Sequence, residues 1–230
     1  MTKIRAVLFD FGGTLDGNGV HWRDRTYQFL NLAYPGLDRE TFDRVDCASV
    51  EGLIASGKAP KLTLRETADS ISTGIYEALG LDAAVKDRYV EQFCKGAKDS
   101  LDRNRRWLET LRERYRLGII SNNFGNTQGW CDEYGLSPLL DVVVDSAVVG
   151  ISKPEHGIFH AALSALRLPP EEAIYAGDTY LQDIVGAKAV GMWTAWLVGA
   201  EEKECPDASI VDSQLAELQE LGRFLERGIE

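Results

Sequence analysis

Apolar and polar positions along this chain follow two regimes. Near the start, Ala6-Val7-Leu8-Phe9 is an unbroken apolar run that ends in Asp10. A short run that is apolar at every position predicts a strand covered on both faces of a sheet. The pattern returns at Leu117-Gly118-Ile119-Ile120, at Val142-Val143-Val144, at Ala173-Ile174-Tyr175-Ala176, over residues 193–198 and, more briefly, over residues 208–211. Between these runs apolar residues recur every three or four positions. That spacing predicts helices over 105–114, 125–134, 155–166 and 180–190, with a closing helix from Ser213.

Residues 21–99 obey the second regime. The helical period persists throughout, strand-like runs are absent and charges are frequent. Four helices are predicted over 21–34, 38–56, 62–80 and 83–99, punctuated by Pro35-Gly36 and Ala59-Pro60, with Thr63 and Asp82 as N-caps. Strands alternating with helices predict an α/β fold, a doubly wound parallel sheet with right-handed crossovers. The helical block between the first two strands is about 80 residues, far more than the dozen or so that a crossover needs. It is therefore read as an inserted all-helical cap. The expected division is 1–16 and 100–230 for a Rossmann-like core and 17–99 for the cap.

Charge and composition narrow the partners. A net charge of −11 argues against a nucleic-acid backbone as ligand, which needs a basic surface. It leaves room for a phosphorylated small molecule, because a local cation can invert the field inside a pocket. No apolar run approaches the roughly 20 residues that span a bilayer. Met1-Thr2-Lys3 leads straight into the first strand without a signal-peptide pattern, so the expectation is a cytoplasmic protein, monomer or homodimer, that does not engage a membrane. Cys47, Cys94, Cys131 and Cys205 form no C-x-x-C pair and read as reduced, mostly buried thiols.

Four segments follow predicted strands, where open α/β sheets build their sites. They are Asp10-Phe11-Gly12-Gly13-Thr14, Ser121-Asn122-Asn123, Ser152-Lys153-Pro154-Glu155 and Gly177-Asp178-Thr179-Tyr180-Leu181-Gln182-Asp183. Brought to one edge, Asp10, Asp178 and Asp183 would repel one another unless a cation joins them, and hard oxygen ligands favour Mg²⁺. Ser121 offers a hydroxyl, the Gly13, Thr14 and Asn122 region offers donors for phosphate oxygens, and Lys153 supplies a point charge. A carboxylate nucleophile beside Mg²⁺ and a lysine is a phosphoryl-transfer site. Asp183 also fits a plain N-terminal acid of helix 180–190, favoured there by the helix dipole.

In this order and spacing the four segments resemble the haloacid dehalogenase superfamily, over roughly residues 1–16 and 100–230, and the insert stands where that family carries a helical cap. The resemblance implies a Mg²⁺-dependent phosphatase of a small phosphorylated metabolite, with Asp10 as nucleophile passing through an aspartyl-phosphate. It implies Ser121 and Lys153 on the phosphoryl group, and Mg²⁺ on Asp10, Asp178, the Gly12 carbonyl and Asp183, directly or through water.

One position departs from the pattern. Two residues after Asp10, most phosphatases of the family carry a second acid that protonates the leaving group, and here Gly12 stands. Three readings follow: a phosphatase favouring good leaving groups; a phosphonatase-like C–P hydrolase with a Schiff-base lysine in the cap, for which Lys58 and Lys61 are the candidates; or a retired scaffold that binds a phosphorylated ligand. The dehalogenase branch fits less well, because it lacks the Mg²⁺ acids that Asp178 and Asp183 would supply. Asp16 and His21 are candidates for the missing proton donor, and Arg23 for a substrate contact. Each also has a structural reading: Asp16 as a turn residue beside Gly17, His21 as a helix-start residue, Arg23 as a solvated helix charge. Lys58 and Lys61 lie in Gly57-Lys58-Ala59-Pro60-Lys61, which reads as an exposed turn.

Overall fold

The computed structural model describes residues 3–200 and 203–227. Strand β1 (Ala6–Phe9) is followed by four helices, α1 (Trp22–Ala33), α2 (Arg39–Ala55), α3 (Leu64–Leu79) and α4 (Ala83–Arg112). The chain then alternates: β2 (Arg116–Ser121), α5 (Thr127–Glu133), β3 (Val142–Asp145), α6 (Ser146–Val149), α7 (His156–Leu166), β4 (Ala173–Gly177), α8 (Val185–Ala189), β5 (Trp193–Leu197), β6 (Ser213–Leu215) and α9 (Leu221–Arg227). All strand pairs are parallel and the sheet order is β3-β2-β1-β4-β5-β6. The order reverses between β1 and β4, which in a doubly wound sheet opens a crevice at the carboxyl ends of the strands.

The strands are apolar throughout because both faces are covered. Val7, Phe9, Leu117, Ile119, Ile174 and Ala176 join one core with α4 and α9. Ala6, Leu8, Ile120 and Tyr175, one residue out of step, join a second core with α7 and α8. A third cluster, centred on Leu30, Phe42, Ile71 and Ile75, holds α1, α2 and α3 together. The third helix starts as its sequence dictates, with a capping box between Thr63 and Glu66, and ends at Gly80 with φ +64°.

The structure differs from the sequence reading in three places. The helices expected at 83–99 and 105–114 are one helix, α4, of 30 residues. Its buried positions, Tyr89, Val90, Phe93, Ala97, Leu101, Asn104, Leu108 and Leu111, keep one stripe from end to end, and no proline interrupts it. It runs through the boundary expected at residue 99. Asn104 sits on this stripe because its amide donates to the Leu15 carbonyl at 2.6 Å and its Oδ1 accepts from Gln219 at 2.6 Å, pinning α4 to the loop after β1. The last strand is Ser213–Leu215, not 208–211. Ala208–Ile210 form a single turn capped by Asp207, and the closing helix begins at Leu221. Of the four thiols only Cys131 is buried, and Cys47 is exposed. Among the described residues no helix is long and apolar enough to cross a membrane.

Candidate active site

Asp10 leaves β1 while its N–H is still in the sheet, bonded to the Ala176 carbonyl at 2.9 Å. The next residues, Phe11–Leu15, make one wide turn closed by Asp16 N–H on the Phe11 carbonyl. Gly13 permits that turn: its φ is +88°, and a Cβ there would lie 2.5 Å from an Asp178 carboxylate oxygen. Gly12 is different. Its φ of −76° and ψ of 117° suit any residue, and a Cβ would stand 3.5 Å from the Trp22 indole nitrogen, an ordinary contact. The backbone does not demand glycine at that position.

After β4 the wide turn Tyr180–Ile184 folds Asp183 back under the strand end, where a Cβ on Gly177 would fall 2.4 Å from its Cγ. Asp10, Asp178 and Asp183 thereby bring ligand oxygens within 4.8 Å of one another, all three buried. Lys153 closes the group. Its ammonium donates to Asp10 Oδ1 at 2.7 Å, Asp183 Oδ1 at 2.6 Å and the Tyr175 hydroxyl at 3.0 Å. Asn122 fixes the backbone of that lysine from both sides, accepting its N–H at 2.7 Å and donating to its carbonyl at 3.0 Å.

The charges do not balance. Three carboxylates face one ammonium, so two negative charges remain when all are ionised. Burial, opposed by Lys153 and reinforced by Asp183, pushes Asp10 up to about 6. Burial and the charges of Asp10 and Asp183 push Asp178 well above the usual carboxylate range, with the Thr14 hydrogen bond working the other way. Burial opposes protonation of Lys153, but Asp10 and Asp183 outweigh it and hold the ammonium form. A divalent cation would complete this balance, and the donor set, all carboxylate oxygen, suits a hard ion such as Mg²⁺. Asp183 already accepts from Lys153 and from Thr179 N–H at 2.8 Å, so it fits a place behind a bridging water better than direct contact.

The remaining sequence candidates separate into two groups. Gly12, His21, Arg23, Ser121, Asn122 and Lys153 line a cavity of about 340 Å³ between the strand ends and the inserted helices, and Asp10 forms part of its floor. Ser121 is buried at the end of β2, and its hydroxyl has no hydrogen bond among the described residues. Gly13, Thr14 and Asp16, expected to meet phosphate or substrate, are not among the residues that line the cavity and are engaged with protein partners instead. The Gly13 N–H is spent on Asp16 Oδ1 at 2.7 Å, and the fully buried Thr14 hydroxyl orients Asp178 at 2.8 Å. Asp16 is fully buried as well. It takes the Trp22 indole N–H at 2.6 Å and both of its oxygens accept from Arg25 at 2.9 Å. It is an anchor between the loop after β1 and α1, with no lone pair left for acid–base work. Lys58 and Lys61 are exposed and outside the cavity.

Sequence reasoning overlooked several participants. Tyr175, in the middle of a buried strand, bridges Lys153 and the Ile120 carbonyl. A buried tyrosine needs a partner for its hydroxyl, and that requirement was the available signal. Trp130 and Asp46 also line the cavity. Nothing local marks them, since their roles depend on how α2 and α5 approach the strand ends.

With this geometry in view, similarities to known proteins gain meaning. A family model described as haloacid dehalogenase-like hydrolase matches residues 4–191. The glyceraldehyde 3-phosphate phosphatase of Pyrococcus furiosus is 35% identical over 125 residues, covering 52% of this chain and 51% of that protein. The chain thus spans only about half the length of that curated relative. Two solved structures share the fold: an HAD phosphatase from Thermococcus onnurineus (24% identity, TM-score 0.58, 96% of this chain and 98% of that one) and a 2-haloacid dehalogenase from Pseudomonas syringae (20%, 0.56, 97% and 99%).

Proposed function

The chain belongs to the haloacid dehalogenase-like hydrolases, and on that footing we propose that it is a Mg²⁺-dependent phosphatase of a small phosphorylated metabolite with Asp10 as nucleophile. The observation that carries this reading is the buried cluster of Asp10, Asp178 and Asp183 around Lys153. Asp10 and Asp178 would hold the metal directly, with Asp183 behind a water. The ion would supply Lewis-acid charge to the phosphoryl oxygens. Lys153 and the unengaged Ser121 hydroxyl would bind those oxygens and hold phosphorus in line with Asp10. Asp10 attacks phosphorus as the ester oxygen leaves, and water then hydrolyses the aspartyl-phosphate. His21 lines the cavity, and its Nδ1 accepts the Arg23 N–H, so the neutral ring carries its proton on Nε2.

Two competing chemistries find less support. A haloacid substrate brings a carboxylate that needs a free cation, yet Arg23 is paired with Asp46 at 2.7 Å and Arg25 with Asp16 at 2.9 Å. A phosphonatase-like Schiff base needs a desolvated cap lysine. Lys58 and Lys61 are exposed, and Lys86 is bound to Asp69 at 2.8 Å.

The decisive experiment is phosphate release from a panel of phosphorylated metabolites and aryl phosphates, with Mg²⁺ and with chelator. Mg²⁺-dependent release supports the reading. No release from any compound transfers the assignment to a phosphate-binding protein on a retired scaffold, which Gly12 alone favours.

Gly12 sets an expected rate pattern. No acid at that position helps the alcohol leave, so log kcat/KM should fall steeply as leaving-group pKa rises. General acid catalysis is worth about 10²–10⁴ in rate, and Gly12→Asp is expected to recover about tenfold of this on poor leaving groups and little on good ones. The backbone accepts the aspartate, but its carboxylate must share the Trp22 edge with Asp16. A flat dependence in the wild type would mean that another residue supplies the proton.

Metal binding should also be linked to pH. Asp10 and Asp178 titrate above ordinary carboxylates, so protons compete with the cation as pH falls toward 6. The rise in melting temperature on adding Mg²⁺ is expected to be several degrees at pH 8 and to shrink at pH 5.5. Equal gains at both values would place the ion elsewhere.

A further inference from the structure

The part of the cavity beyond the carboxylates has a definite chemical character. One wall is aromatic. Trp22 stacks on Trp130 with centroids 5.4 Å apart and planes 8° from parallel, Phe93 meets Trp22 edge-on at 4.7 Å, and the Trp22 N–H is tied to Asp16. Tyr89 and Phe124 extend the lining, with Ile71 and Val50 on the aliphatic side. A volume of about 340 Å³ lies at the low end of the roughly 300–1,000 Å³ typical of ligand cavities. It has room for a single ring beside the phosphoryl group.

Its polar groups narrow the choice further. Among the described residues lining the cavity, Arg23 is the cap cation, and Asp46 neutralises it. A leaving group with its own carboxylate or second phosphate would meet no unpaired positive charge there. Asp46 is buried, lines the cavity and spends only Oδ2 on Arg23. Its Oδ1 has no hydrogen-bond partner among the described residues. Facing the cavity, that oxygen is free to accept from a donor on a bound molecule. Gly12 adds an independent constraint, because a site without the second acid favours an alcohol of low pKa.

Resting on the phosphatase reading above, we propose that the leaving group is an uncharged phenol-like ring alcohol. Its ring is held by the Trp22–Trp130 wall, and a ring substituent donates a hydrogen bond to Asp46. The substrate is thus an aryl phosphate monoester. A carboxylate oxygen of Asp10 bonds to phosphorus as the aryl oxygen–phosphorus bond breaks. The bonding pair departs with the aryl oxygen, which takes a proton from solvent. Water then adds to phosphorus, releases inorganic phosphate and restores Asp10. Asp46 is a specificity-determining residue and takes no part in the bond changes.

The test compares three esters with the Mg²⁺-loaded protein: phenyl phosphate, 4-(hydroxymethyl)phenyl phosphate, and a fluorinated alkyl phosphate whose alcohol matches phenol in pKa. The expected kcat/KM is at least tenfold higher for phenyl than for the matched alkyl ester. A further gain of about tenfold is expected from the hydroxymethyl group, and in Asp46→Ala, which removes the acceptor, this second ratio should fall toward one. Equal turnover of the phenyl and alkyl esters would overturn the aryl assignment while leaving the phosphatase reading intact. A hydroxymethyl advantage that survives Asp46→Ala would overturn the role of Asp46. Failure of all three esters while another phosphorylated metabolite is turned over with Mg²⁺ would overturn the aryl assignment alone; failure of these esters and of the whole metabolite panel would remove the phosphatase reading and this inference with it.

Discussion

Asp10→Asn is expected to lower phosphate release by at least about a thousandfold on every substrate, good leaving groups included. The amide keeps the size of the side chain and can still accept from Lys153, but it is a poor nucleophile toward phosphorus. A residue that merely helped to place the metal would show a different pattern, with activity recovering at high Mg²⁺. Folding should not suffer. Asp10 is a buried acid pushed up to about 6, so its ionised form is a cost to the fold at neutral pH, and Lys153 keeps Asp183 as partner. The melting temperature in chelator should match or exceed that of the wild type. Residual turnover above a few per cent, or recovery with excess metal, would remove Asp10 from the nucleophile role.

Lys153→Met should do the reverse, striking stability as well as turnover. The ammonium is almost wholly buried and holds Asp10 at 2.7 Å and Asp183 at 2.6 Å. Removing one member of a buried ion pair leaves an uncompensated charge and typically costs about 3–5 kcal/mol. In a protein of 230 residues that corresponds to a fall of roughly 10 °C in melting temperature. The sign of the pH dependence follows from Asp10. Above its folded pKa the stranded carboxylate is charged and the full penalty applies. Without the ammonium that holds it down, the stranded Asp10 lies above the value of about 6 it has beside Lys153, so it takes up a proton as pH falls toward 6 and the penalty shrinks. The loss should therefore be larger at pH 8 than at pH 5.5, and Mg²⁺ should recover part of it at pH 8. An identical loss under all conditions would mean that the lysine acts through packing alone.

How far the sequence reveals this molecule depends on whether a feature is local. The four strand-end segments were legible because each couples an apolar run to a short polar turn, and parallel strands carry such turns to one edge. Asp10, Lys153, Asp178 and Asp183 converge as that logic requires. The roles of Asp16 and Thr14 were not legible. Their partners Arg25, Trp22 and Asp178 come from other elements, and only the folded chain shows that their oxygens are already spent. The continuity of α4 was hidden for another reason. Between Lys98 and Arg106 the stripe is carried by Leu101 and Asn104, and a buried asparagine reads as polar. Strand β6 was misplaced because only Leu215 of its three residues is buried, while the more apolar 208–211 stretch forms a turn.

The unbroken course of α4 has a mechanical consequence. The inserted helices join the sheet through two connections. One is the loop from Asp16 to Val20; the other is the body of α4, a rod of about 45 Å at 1.5 Å per residue. A pair of slack tethers would let the insertion swing as a door. A rod on one side turns it into a lever, with its fulcrum where Asn104 grips Leu15. Bending stiffness, more than hinge freedom, then governs how wide the entrance gapes. The grip at Asn104 is on the turn that directly follows Asp10, so each tilt of the lever pulls on the loop that holds Asp10.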